Sequence, residues 1–157
     1  MYHYTLCGLD NVWLLNGYTL HETEFGEGVS FDDPEGLDRE IARQLVEYCP
    51  RLSGKEFRFL RKHIGLSQRR LADFFGKDEQ SVAIWEKKNK VPVWADRMMR
   101  GLVAQFHGKN PNLLDMIERI CHMDAEYGID KIELKESDGA WTAAAYHLPA
   151  QNKDPRC

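Results

Sequence analysis

Residues 68–86, QRRLADFFGKDEQSVAIWE, hold the pattern from which the rest of the chain is read. Leu71, Ala72 and Phe75 recur at helical spacing, Gly76 interrupts them, and Val82 and Trp85 resume at i, i+3. Two short helices that cross need a small side chain where they meet, since a larger one would hold them apart; Ala72 supplies it. They need a permissive residue at the turn, where φ can become positive, and Gly76 stands four residues on. The second helix needs apolar side chains facing the first, and Val82 and Trp85 provide them. Ser67 and Asp78 precede the two helices as N-caps.

Upstream, Ser53-Gly54-Lys55-Glu56 is a capping box, followed by the stripe Phe57, Leu60 and Ile64, which Gly65 ends. Downstream, Lys87-Lys88-Asn89-Lys90 leads to the break at Val91-Pro92, then a helix over 93–106. Asn110-Pro111 caps a further helix to about Tyr127. Its broad apolar face (Leu113, Leu114, Ile117, Ile120, Cys121) suits covering the domain or binding a second subunit. In the first fifty residues, Val12 to Leu15 predicts a strand, Asn16-Gly17 a turn, and Tyr18 to Phe25 a second strand. Gly26-Glu27-Gly28 punctuates before Val29 to Phe31 pairs back. Asp33-Pro34 opens a helix with Leu37, Ile41, Leu45 and Val46 inward, which Pro50 stops. Ile132 and Leu134, then Ser137-Asp138-Gly139, then Trp141, read as a C-terminal β-hairpin, with the last residues frayed. The expectation is an α+β fold in three parts: an acidic β/α segment over 1–50, a helical unit over 51–110, and a helix with a hairpin over 111–157.

The chain has 157 residues and a formal net charge of -4, which argues against a nucleic-acid partner until it is divided. Residues 1–50 carry 2 basic and 10 acidic side chains, residues 51–110 carry 14 and 6, and residues 111–157 carry 5 and 9. The central third is therefore at +8 between segments of -8 and -4, which suits one surface for a polyanion; a solvated helical face is the alternative. No apolar run approaches the ~20 residues of a membrane span, and no secretory leader is visible, so a cytoplasmic location and no membrane partner are expected. Cys7, Cys49, Cys121 and Cys157 are scattered without a CxxC, which suits reduced thiols better than a zinc site. The six histidines are dispersed, with no HExxH, GxSxG or P-loop, so neither catalysis, metal nor cofactor is expected.

The stretch FRFLRKHIGLSQRRLADFFGKDEQSVAIWEKKNKVP (57–92) resembles the Xre/Cro family of helix-turn-helix DNA-binding domains, the family of the lambdoid phage repressors. GLSQ opens the second helix of the unit, LA lies at its middle, and WE closes the third. The resemblance spans roughly residues 53–107 and implies a five-helix lambda-repressor-like core that reads a palindromic operator as a homodimer. A β-containing segment ahead of such a core also resembles MqsA-type antitoxin regulators. Those bind zinc through paired CxxC motifs that this chain lacks, so zinc does not carry over.

The helix after Gly76 would lie in the major groove, with Glu79, Gln80, Ala83 and Ile84 nearest the bases. Gln80 can donate to and accept from adenine, while Ala83 and Ile84 can touch a thymine methyl. Glu79 can accept from cytosine or simply favour its own helix N-terminus. Ser81, Arg69, Arg70, Lys87, Lys88, Asn89 and Lys90 are expected at phosphates. Gln68 stands where the family clamps a phosphate. Trp85 is expected in the core, and Arg61 with Glu86 as a partly buried ion pair. The acidic N-terminal segment is read as a dimerisation or stabilising module, or as a docking surface for a protein such as a basic toxin.

Overall fold

The computed structural model describes residues 1–108 and 129–147. Among these, the elements run β1 (Tyr2–His3), β2 (Val12–Leu14), β3 (Tyr18–Thr23), β4 (Gly26–Phe31), α1 (Pro34–Tyr48), α2 (Gly54–His63), α3 (Gln68–Phe75), α4 (Glu79–Lys88), α5 (Val93–Phe106), β5 (Lys131–Ser137) and β6 (Ala140–His147). The molecule is α+β. The expected helix over 111–127 and the tail after His147 lie outside the described residues.

Helices α1 to α4 each start where a side chain accepts from a free N–H group, while α5 follows Pro92 without a side-chain cap. Asp33 Oδ1 accepts from Gly36 N at 3.0 Å, with Pro34 in the first turn of α1. In α2 the box closes both ways: Glu56 N donates to Ser53 Oγ at 3.2 Å, and Ser53 N donates to Glu56 Oε2 at 2.8 Å. Ser67 caps α3 and Asp78 caps α4. Between those two helices only Gly76, Lys77 and Asp78 intervene, and Gly76 takes φ +64°, the left-handed conformation that ends α3.

One sheet joins strands from both ends of the chain. Its strand order is β1-β2-β5-β6, and β2 runs parallel to β5 with Val12 opposite Ile132 and Leu14 opposite Leu134. All four of these side chains are fully buried. The C-terminal hairpin therefore belongs to one sheet with β1 and β2, and among the described residues α1 to α5 lie within the crossover between β2 and β5. A parallel pair needs such a long connection, because a tight turn cannot reverse direction twice. Trp141 of β6 ties the hairpin to the N-terminal segment: its indole N–H donates to Asp33 O at 3.1 Å. Its ring lies so close to Gly17 that a Cβ there would come within 2.6 Å of it.

A correction concerns the β3–β4 hairpin. Thr23 pairs with Gly26, so the turn is Glu24-Phe25, and Gly26-Glu27-Gly28 lies inside β4. Thr23 Oγ1 closes the turn by donating to Gly26 O at 2.6 Å. Glycines marked a turn in sequence but here supply a strand with backbone alone.

One buried network joins α1 to α5. Arg100 and Asp96 are both fully buried, and Arg100 Nε donates to Asp96 Oδ1 at 2.7 Å. Arg100 Nη1 donates to Leu45 O and Val46 O, and Nη2 to Cys49 O, so the guanidinium caps the C-terminal carbonyls of α1. Asp96 Oδ2 accepts from Leu52 N at 2.7 Å. Every guanidinium N–H has an acceptor, which is the condition for burying such a pair.

Candidate nucleic-acid interface

The outward side of α4 carries Gln80, Ile84, Lys87 and Lys88 in the open, with Ala83 half-buried among them. Residues 80, 83, 84 and 87 fall on one helical face. Ile84 is 46% exposed, a large apolar side chain on an otherwise polar surface. Val82, Trp85 and Glu86 point inward, and Trp85 sits edge-on to Phe57 with ring centroids 6.1 Å apart.

Three side chains fix α4 from beneath. Arg61 Nε donates to Glu86 Oε1 at 2.6 Å and Nη2 to Glu86 Oε2 at 3.1 Å, a two-pronged pair with both partners buried. Arg61 Nη1 also holds Leu66 O at 2.8 Å, so the pair reaches the loop between α2 and α3. Gln68 Nε2 donates to Glu86 Oε2 at 2.9 Å. One of the two Gln68 amide hydrogens is thus spent inside the protein, and the other remains for an acceptor outside it.

Two expected phosphate contacts have other work. Asn89 ends α4 at φ 53° in the left-handed region, and its Oδ1 accepts from Gly54 N at 2.6 Å. This bond carries the end of α4 onto the start of α2, so Asn89 is a cap and a brace. The Ser81 hydroxyl donates to Asp78 Oδ1 at 2.7 Å, and Ser81 N donates to the same oxygen at 2.8 Å. These bonds hold the Asp78 carboxyl below the usual range, and they leave the Ser81 hydroxyl no hydrogen for a phosphate. Asn89 and Ser81 therefore have structural roles as well, and the Asn89 brace uses its carbonyl oxygen and neither of its amide hydrogens. Glu79 stands exposed in the first turn of α4, where a carboxylate favours the helix N-terminus.

Arg69, Arg70, Lys87, Lys88 and Lys90 are all exposed. Arg70 lies over the Phe74 ring at 4.9 Å, and Lys77, which the sequence did not single out, lies over Trp94 at 5.8 Å. These contacts limit where two of the cations can reach. Gly54 also escaped the sequence reading: a Cβ there would come within 2.8 Å of Trp85 O and nearer still to Glu86 O. α2 therefore comes close to the backbone of α4 at Gly54, while Ala72 is fully buried in α3. Asn directly after a basic helix end is a left-handed cap signal, and it was legible. The Gly54 contact, 32 residues away from Glu86 in sequence, was not.

Among the described residues no helix is long and apolar enough to cross a membrane, and no three His, Cys, Asp or Glu side chains converge as metal ligands would. No protein-family model, curated protein or solved structure matches the chain.

Proposed function

We propose that the chain is a sequence-specific double-stranded DNA-binding regulator, a repressor or autorepressor, with α3 and α4 as a helix-turn-helix. The observation that carries this is the outward face of α4. Gln80, Ala83 and Ile84 stand together at its accessible side, and beneath them the Arg61–Glu86–Gln68 network sets the helix in place. Gln80 reads adenine, Ala83 and Ile84 meet thymine methyls, and Glu79 borders them. Arg69, Arg70, Lys87, Lys88 and Lys90 position the duplex through phosphates, with the free hydrogen of Gln68 as a further donor. The resemblance of residues 53–107 to the Xre/Cro family supports the same arrangement. Two copies on one operator would address half-sites about 34 Å apart. Selection of random duplexes on the full chain tests this: an enriched inverted repeat supports it, and retention of no duplex at low salt overturns it. With six to eight phosphates neutralised per dimer, the slope of log affinity against log salt is roughly -5 to -7.

A second activity, docking of a protein partner such as a basic toxin through the N-terminal segment, has its own observation. Phe25 is fully exposed at the tip of the β3–β4 hairpin, flanked by exposed Glu22, Glu24 and Glu27. An aromatic tip in an acidic frame suits a basic surface with an apolar pocket. Phe25→Ala abolishing co-purification of a basic partner while sparing DNA binding is the expected result. Unchanged co-purification removes the hairpin from that role.

A further inference from the structure

The β3–β4 hairpin is a two-stranded sheet of its own. Side chains alternate across it, so Tyr18, Leu20 and Glu22 share one face with their partners Phe31, Val29 and Glu27. At the root this face is covered: the rings of Tyr18 and Phe31 lie 5.2 and 5.8 Å from that of Tyr2. Further out the cover ends. Leu20 is 56% exposed opposite half-buried Val29, and Glu22 and Glu27 stand exposed one step beyond them. The reverse face pairs Thr19 with Ser30 and His21 with Gly28, and His21 Nε2 lies 2.8 Å from Ser30 Oγ, so it is polar and in part satisfied from within.

Glu22 directly opposite Glu27 costs the hairpin stability, because the Cβ atoms of such a pair are only ~4.5–5.5 Å apart. Among the described residues no Lys or Arg pairs with either carboxylate. A two-stranded hairpin has little stability to give away. Two carboxylates at that spacing suit one guanidinium or ammonium group between them, and the Leu20–Val29 step suits an apolar side chain. The acidic pair repels nucleic acid and anionic lipid, which leaves a cationic protein segment as the complementary occupant. The two positions lie ~7 Å apart along the strands, the separation of residues two apart on another strand or about four apart on a helix.

We propose that this face of the hairpin, and not its reverse, receives a basic amphipathic segment of another protein. An Arg or Lys of that segment lies between Glu22 and Glu27, and an apolar side chain lies on Leu20 and Val29. The inference rests on the reading of Phe25 as a docking tip and adds to it the face, the register and the spacing that the partner must match.

Random dodecapeptides displayed on phage and panned against the full chain provide the test. Enriched sequences are expected to carry Arg or Lys two or four positions from an apolar residue. Glu27→Gln and Leu20→Ala should each weaken a synthetic peptide of that sequence about tenfold or more. Added salt should weaken it too, and Thr19→Ala on the reverse face should leave it unchanged. Glu27→Gln removes the like-charge pair, so its melting temperature should equal or exceed that of the parent. A peptide lost with Phe25→Ala but kept by Glu27→Gln and Leu20→Ala would overturn this face and leave the docking tip in place. No enriched sequence, or one that ignores all three substitutions, would overturn both. Binding lost equally with Thr19→Ala, or lost only together with a fall in melting temperature, would also overturn the proposal. So would a concentration-dependent dimer that Glu27→Gln abolishes, since that would assign the face to a second copy.

Discussion

Glu86 is a carboxylate taken out of water and held there by Arg61 and Gln68. Removing one member of a buried pair leaves the other charged and unmatched, which costs ~3–5 kcal/mol. Arg61→Ala should lower stability by about that amount in urea unfolding; an unchanged midpoint would mean the pair contributes nothing. Burial shapes the thiols too. Cys7 is pushed up to about 11, and Cys49, enclosed and beside Glu56, is pushed well above its ordinary value. A raised pKa in the folded state gives stability that is complete below the unfolded value, about 8.5, and is lost as pH rises through the folded one. Melting temperature should therefore fall from about pH 8.5 upward in reductant. The Cys49→Ala protein should show a shallower fall, and identical slopes would contradict the assignment.

At the scale of the element, short-range chemistry was legible. Asp33-Pro34, the Ser53–Glu56 box, Ser67, Gly76 and Asp78 bound their helices because each acts within four residues of itself. Across elements, the Arg61–Glu86 pair was expected and is present, but other contacts were not legible. Gly54 meets the backbone of α4, and Asn89 reaches back to Gly54 N, pairings that only the folded chain brings together. Gly54→Ala should push α2 from α4 and cost ~1–3 kcal/mol, as overpacking does. Calorimetry checks this: a melting temperature equal to the parent would show that the crossing relaxes freely. The same limit explains Ser81 and Asn89 among the expected DNA contacts. Residue type suited them to phosphate; Ser81 also bonds locally to Asp78, and Asn89 braces α2 through its carbonyl oxygen.

For the whole molecule, segment charge located the basic third but not the sheet. Val12 and Ile132 are neighbours across the parallel pair, and nothing in either stretch alone announces the other. The helical unit is also less separable than its composition suggested. Arg100 of α5 holds the carbonyls at the end of α1, and buried Glu56 of α2 reaches Ile129 N beside the sheet at 3.4 Å. A fragment spanning residues 51–108 keeps Asp96 but loses the three carbonyl acceptors of Arg100 at the end of α1, and should lack a cooperative thermal transition although it contains α2 to α5. A sharp transition at the melting temperature of the full chain would show instead that the helices fold alone.

The α4 face is tested most directly by comparing Gln80→Ala with Lys88→Ala on two duplexes, one bearing the selected site and one of scrambled sequence, by fluorescence anisotropy at fixed salt. A base reader affects only the specific complex, and a phosphate contact affects both. Gln80→Ala should weaken the specific complex by ~1–3 kcal/mol and leave the scrambled one unchanged, while Lys88→Ala should weaken both alike. Equal losses on both duplexes for Gln80→Ala, or no loss on either, would contradict α4 as the recognition helix.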